Sequence, residues 1–414
     1  MSSASDLFNE SFDNIQRLGL KSIPFTESPI ESNISSIFTG RQKELRQVFN
    51  LFQKSCERRR ILVYGRIGIG KSTFLLEVLS VLRDKRKDML STYISLSPEL
   101  DLATTALIAL ARAMPGDEWA QKQLHQLGIP TAQSIKERTT EASATMGFGA
   151  KLSEKDVSAV KSQYPTISLD ELLERAHKKF PGGIVIAIDD LDKQNPSRVR
   201  QLMHDAQGML KGRAWFFLTG HPTGMTGDLL TSERGLFDLQ LKLEELDQET
   251  TYQMLINYLN STRKGKYLGP FDPSDPRAVL PFLPETAKEF CRVSMGKPRL
   301  FNRLGNTVLS TAAELQAEII TPEILQKGLK NVQPSLLDQA ALTVQEERVR
   351  MLLQQRGHLS DETISIDDLE QLGFRSFVEI VPILERLEEA DLAHQLNQGD
   401  VTAFAPIPLI PATN

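Results

Sequence analysis

The stretch ILVYGRIGIGKSTFLLEVLSVL, Ile61–Leu82, decides how the rest of the chain is read. Four apolar residues run into a glycine-rich turn and then into apolar residues at helical spacing, the pattern of strand, tight turn and helix. Gly65, Gly70, Lys71 and Ser72 complete G-x-x-x-x-G-K-[ST], with Gly68 inside the turn and Thr73 after it. Glycines let the backbone pass close to an anion with its N–H groups turned inward, and the following helix offers its positive N-terminal end. Lys71 then reaches the outer phosphates of a bound ATP, and the Ser72 hydroxyl holds Mg²⁺.

A chain of 414 residues exceeds one compact core and implies two or three domains. Its 40% hydrophobic and 24% charged composition is that of an ordinary globular protein. A formal charge of −5 gives no global pull toward nucleic acid or an anionic membrane, so either would need a local basic patch. The only cysteines, Cys56 and Cys291, exclude a disulfide framework and a cysteine zinc site. With no leader pattern and no apolar run near ~18 residues, the expectation is a cytoplasmic protein with no membrane association.

Residues 1–30 are polar and interrupted by Pro24 and Pro29, which reads as a loosely structured lead-in with a short helix near Leu7–Leu18. Residues 31–245 read as one α/β domain. Ser91–Leu96 has strand character, and Asp101–Ala113 and Glu118–Leu127 have helical character. Thr140–Leu152, inside an insertion of unread role spanning 97–180, reads as an irregular or hairpin segment. Ile184–Ile188 is five apolar residues without alternation, a strand buried on both faces, and it runs into Asp189 and Asp190. Trp215–Leu218 is a third strand after the phosphate loop, and Asp238–Leu243 a fourth by alternation. Helical patterns between strands give a doubly wound parallel sheet with ligands at its carboxyl edge.

Beyond Gln248 the strand signals stop. Thr251–Leu259, Pro284–Val293, Arg299–Ala317 and Pro322–Lys330 read as helices of a lid domain, 246–338. Residues 339–414 give helix, helix, helix and hairpin, the order of a winged helix. In its third helix Val378, Val381, Leu384 and Leu387 read as core, Ser376 with Glu379 as a capping box, and Pro382 as a bend.

The apolar strand ending in Asp189 and Asp190 is the partner a phosphate loop needs. Asp189 holds Mg²⁺ directly or through water, and Asp190 orients or deprotonates the attacking water. Five further motifs make the reading specific: FTGRQKEL at 38–45, IVIAIDDLD at 184–192, LTGHP at 218–222, Arg234 before the next strand, and G-K-P-R at Gly296–Arg299. With these the chain resembles an AAA+ ATPase, similar to the origin-recognition/initiator clade and to the STAND signalling NTPases. The resemblance implies that Gly40 and Arg41 lie near the adenine and that Thr219 is the sensor-1 residue, on a strand between the phosphate-loop and acidic strands. It also implies that Arg299 is the sensor-2 arginine of the lid and that Arg234 is a finger supplied to a neighbouring subunit. Arginines at such places offset charge that spreads over phosphoryl oxygens.

Asp189–Asp190 departs from the Asp–Glu usual in AAA+ enzymes, and the shorter side chain suits a slow switch better than a processive motor. Two functions follow from the resemblance: a nucleotide-dependent homo-oligomer acting on or with double-stranded DNA through an ATPase ring, in replication, recombination or transposition, or a STAND-like signalling or defence switch. The GKPR motif favours the first, and the lid and winged helix argue against a metabolic kinase. Residues 375–390 carry Arg375 and Arg386 against Glu379, Glu385, Glu388 and Glu389, poor chemistry for a polyanion, so the winged helix reads as a protein-docking or subunit-packing module.

Overall fold

The computed structural model of the protein describes residues 12–26, 37–53, 58–129, 164–221, 236–265, 268–398 and 401–409. The chain divides into two compact units, each described by itself. One is Arg41–Arg66 with Lys71–Glu244; the other is Met1–Gly40, Ile67–Gly70 and Glu245–Asn414.

The first unit is built on strands β1 (Arg59–Tyr64), β2 (Met89–Ser95), β3 (Gly183–Asp189), β4 (Trp215–Gly220) and β5 (Leu239–Lys242). All pair in parallel, in the order β2-β3-β4-β1-β5. Every residue of β3 is buried, as an unalternating apolar run between two helical layers must be. β4 lies between β1 and β3, where the sensor-1 strand was expected. Around the sheet are α1 (Gln42–Phe52), α2 (Lys71–Lys85), α3 (Leu102–Arg112), α4 (Glu118–Gln126), α5 (Pro165–Lys179), α6 (Pro196–Asp205) and the short α7 (Gln207–Leu210). Asp101 and Asp117 cap α3 and α4 by accepting from Thr104 N–H and Ala120 N–H. The irregular or hairpin segment expected at Thr140–Leu152 lies outside the described residues.

In the second unit, α8 (Gln248–Thr262), α9 (Pro284–Val293), α10 (Pro298–Glu314) and α11 (Pro322–Ala340) form the helical region. Three of them begin on proline, which fits a first turn where no N–H partner is needed. α11 runs ten residues past the expected Lys330. Val332 and Leu336 extend its buried stripe, and Pro334 is accommodated inside the helix.

The lead-in is not loose where it is described. Residues 12–17 are helical, Leu20 bridges Arg263, and Leu18, Leu20 and Phe25 are buried in this unit's core. Phe25 stacks on Tyr258 at 5.6 Å and meets Phe301 edge-on at 5.4 Å. A polar, proline-broken composition hides three apolar residues whose partners are more than two hundred positions away.

The C-terminal region consists of α12 (Val344–Arg356), β6 (Leu359–Ser360), α13 (Ile366–Leu372), α14 (Phe377–Glu389), β7 (Ala393–Gln398) and β8 (Val401–Pro406). Its strands form an antiparallel sheet in the order β6-β8-β7, consistent with a winged helix. Residues 246–338 and 339–414, read separately from sequence, share one hydrophobic cluster.

Two expectations for α14 need correction. Its buried stripe is Phe377, Ile380, Leu384 and Leu387, while Val378 is 74% exposed and Val381 only partly buried. Both stripes obey helical spacing at their C-terminal end, and packing against β7 and α12 selects the other one. Ser376 makes no side-chain cap; the Glu379 carboxylate instead accepts from Arg375 N–H at 2.9 Å. Full capping boxes occur at Thr343/Glu346 and Ser365/Asp368.

Candidate functional site: the phosphate loop and the acidic strand end

Where β1 ends, Gly65 N–H donates to Gly220 O at 3.2 Å, tying the start of the loop to the end of β4. Lys71 opens α2 and is buried, with Nζ donating to Gly65 O at 2.9 Å and Arg66 O at 3.0 Å. The ammonium is thereby folded back over its own loop, where a phosphate oxygen can replace a carbonyl as acceptor. Ser72 and Thr73 follow in the first turn of α2, both partly buried.

On β3, two strands away, Asp189 is 1% exposed and almost fully occupied by donors. Oδ1 accepts from the Thr219 hydroxyl at 2.5 Å and from Asp190 N–H at 2.9 Å. Oδ2 accepts from the Tyr93 hydroxyl at 2.6 Å. Thr219 Oγ1 in turn accepts from Asp190 N–H at 3.0 Å. The sensor-1 candidate thus spends its one proton on the acidic strand. Asp190 takes a left-handed backbone, φ 68°, and its carboxylate pairs with Lys193 at 3.0 Å. Tyr93 was passed over in the sequence, because the signal is a pairing: it sits opposite Ala187 on β3, one pleat before Asp189. Burial first, then the Asp189 carboxylate beside it, pushes its phenol above the usual range.

In the unit holding the helical region, the loop's crest and the GKPR motif come together. Gly68 has φ +79°, and its carbonyl accepts from Arg299 N–H at 3.1 Å. That satisfies one of the orphan donors at the start of α10. A Cβ on Gly68 would stand 3.0 Å from Arg299 Cβ, so the arginine's stem lies across the loop. Gly40, φ +78°, abuts Thr250 and Leu246, where a Cβ would come within 2.7 Å of Thr250 Cγ2. Arg41, described with the sheet, has a left-handed backbone, donates to Glu244 O and lies near Glu44. Both residues of the GR pair therefore have a packing role beside any contact with a base. Arg234 lies outside the described residues.

These residues suit a magnesium nucleotide. A glycine loop with positive φ at Gly68 and Gly70 leads to a buried lysine at a helix start, and an acidic strand end carries one deeply placed carboxylate. Among the described residues no three His, Cys, Asp or Glu side chains gather to hold a metal alone. Ser72 and Asp189 would share the ion with phosphate oxygens, the usual arrangement for magnesium. Nor, among the described residues, is any helix long and apolar enough to cross a membrane.

Residues 37–211 match the sequence model of the AAA ATPase domain family. No curated protein matches the chain in sequence. Among solved structures it is similar to the Aeropyrum pernix ORC2 protein, in ADPNP and ADP complexes, with a TM-score of 0.52, 11% identity and 90% of each chain covered. The Aeropyrum pernix ORC1 protein in complex with DNA aligns with a TM-score of 0.49, 12% identity and 91% of each chain covered. The Thermotoga maritima RuvB Holliday junction branch migration motor aligns at 0.42, with 13% identity, 90% of this chain and 93% of that one.

Proposed function

We propose that this chain, whose residues 37–211 match the AAA ATPase domain model and whose fold is similar to that of the Aeropyrum pernix ORC2 protein, binds ATP with magnesium and hydrolyses it slowly as a molecular switch. The observation that carries this reading is the Asp189 cluster at the carboxyl end of β3, two strands from the phosphate-loop lysine. Lys71 would exchange its loop carbonyls for phosphate, and Ser72 and Asp189 would hold the magnesium, which offsets phosphate charge when bound. Asp190 is the candidate to orient water, and its pairing with Lys193 is in keeping with slow turnover. Arg299 is the candidate to couple phosphate to the lid through α10, whose first turn bonds Gly68.

Calorimetric titration tests the binding half: Lys71→Ala loses a charge-assisted contact and should weaken ATP by about 10- to 100-fold. An unchanged affinity would falsify the site. Asp190→Asn should keep binding and lower turnover by on the order of 10²-fold. If turnover persists, Asp190 is not the base.

We further propose that the switch assembles in a nucleotide-dependent way with Arg234 completing a neighbour's site, and that any DNA is held by the ATPase unit. Mixing Arg234→Ala with Lys71→Ala protein should restore part of the turnover; co-assembly without rescue removes the finger. A partner-docking role for the C-terminal region, as in a STAND-like switch, is favoured by one observation. Arg386 on α14 is paired with Glu346 at 3.0 Å, which leaves little basic charge on that helix for phosphates.

A further inference from the structure

Asp189 is the carboxylate on which the proposed magnesium site turns, and what surrounds it limits how it can serve. An ionised carboxylate offers about four acceptor positions. Three are filled by protein donors: the Thr219 hydroxyl, Asp190 N–H and the Tyr93 hydroxyl. Two of these come from the acidic strand and its β4 neighbour, as a sensor-1 arrangement requires. The third comes from the opposite neighbour, β2, where the register puts Tyr93 against Ala187 and Ser95 against Asp189. The phenol thus reaches diagonally along one face of the sheet to the oxygen that Thr219 leaves alone.

We infer that Tyr93 is a positioning residue for the metal: its hydroxyl fixes Asp189 Oδ2 and leaves the carboxylate one free acceptor position to offer magnesium or a magnesium-bound water. The inference rests on the ATP–magnesium reading of the site. A donor on Oδ2 draws charge from the carboxylate and weakens it as a metal ligand, while holding its plane at one angle. Without that donor the carboxylate is richer in charge and is held through Oδ1 alone. Magnesium then binds more tightly and turnover falls, opposite changes that loss of packing does not produce.

The test compares three full-length proteins: unaltered, Tyr93→Phe, and Tyr93 replaced by 4-aminophenylalanine, which keeps the ring and a donor. ATP binding is titrated by calorimetry without magnesium and again across a magnesium series. In Tyr93→Phe the half-saturating magnesium concentration should fall by on the order of threefold to tenfold. Turnover should drop, and magnesium-free ATP affinity should be unchanged. The 4-aminophenylalanine protein should return all three values toward the original. A half-saturating concentration that is unchanged or raised in folded Tyr93→Phe overturns the inference, as does a Tyr93→Phe that fails to fold while the 4-amino variant folds. If the unaltered protein binds ATP with no magnesium dependence, the metal reading itself falls and takes the inference with it. If magnesium-dependent binding persists and only Tyr93 proves indifferent, the ATP–magnesium reading stands alone.

Discussion

A Cβ placed on Gly296 would lie 1.9 Å from Leu246 O, and the residue holds φ +66° while accepting from Leu246 N–H at 2.9 Å. Sequence presented this glycine only as the first letter of GKPR; the structure makes it a point where two backbones touch. Gly296→Ala should therefore cost about 2–3 kcal/mol or more in urea unfolding, from strain and displacement together. A loss below about 0.5 kcal/mol would mean that the contact relaxes freely. The same scale separates what was legible in the site from what was not. Gly65 to Thr73 could be read because their chemistry is carried by residues adjacent in the chain. The placement of Asp189 could be read because five apolar residues run straight into it, the pattern of a buried strand end. The Tyr93 bond to Asp189 could not, since it depends on which strand lies beside β3, a fact no local spacing contains.

For whole elements, β3, β4 and most helices could be read, because buried runs and 3.6-residue stripes are strong signals. α14 shows where such reading fails. Two apolar stripes share Leu384 and Leu387, and only tertiary packing chooses Ile380 over Val378. Ile380→Ala should cost about 2–5 kcal/mol in chemical unfolding, and Val378→Ala should stay within about 0.5 kcal/mol. Equal losses would restore the sequence-based register. The capping boxes of α12 and α13 give a pH dependence. Thr343 N–H chiefly, with Arg386 aiding, holds the Glu346 carboxyl below its usual 4.5 against the opposing effect of burial. Arg356 chiefly, then Ser365, holds Asp368 below 3.8. Both folded values are depressed, so their stabilisation is full above the unfolded values and is lost as pH falls through the folded ones. Stability of the protein should drop between about pH 5 and pH 3, and Glu346→Gln should flatten that slope. Identical slopes in the two proteins would show that Glu346 contributes nothing to it.

In the unit that contains the helical region, one apolar cluster runs from Leu18 through Phe301 to Leu409. Two ion pairs tie α10 to the C-terminal region: Lys297 Nζ with Glu388 at 3.5 Å, and Arg303 with Asp391 at 3.5 Å. Lys297 and Glu388 side chains are only 4% and 11% exposed. Glu388→Ala would strand a buried ammonium and should cost about 3–5 kcal/mol, read as a lowered thermal midpoint. Full stability in that variant would mean that Lys297 finds water instead.

The strand order also sets a timetable for synthesis. β1 precedes both of its neighbours by far, since β4 is complete only at Gly220 and β5 only at Lys242. At about 5–20 residues per second, Ile61, Leu62 and Val63 wait roughly ten seconds or longer on the ribosome without a partner. Phe25 waits longer still, until Phe301 and its neighbours emerge. A nascent chain halted anywhere before Lys242 therefore leaves an edge of its own phosphate-loop strand unpaired.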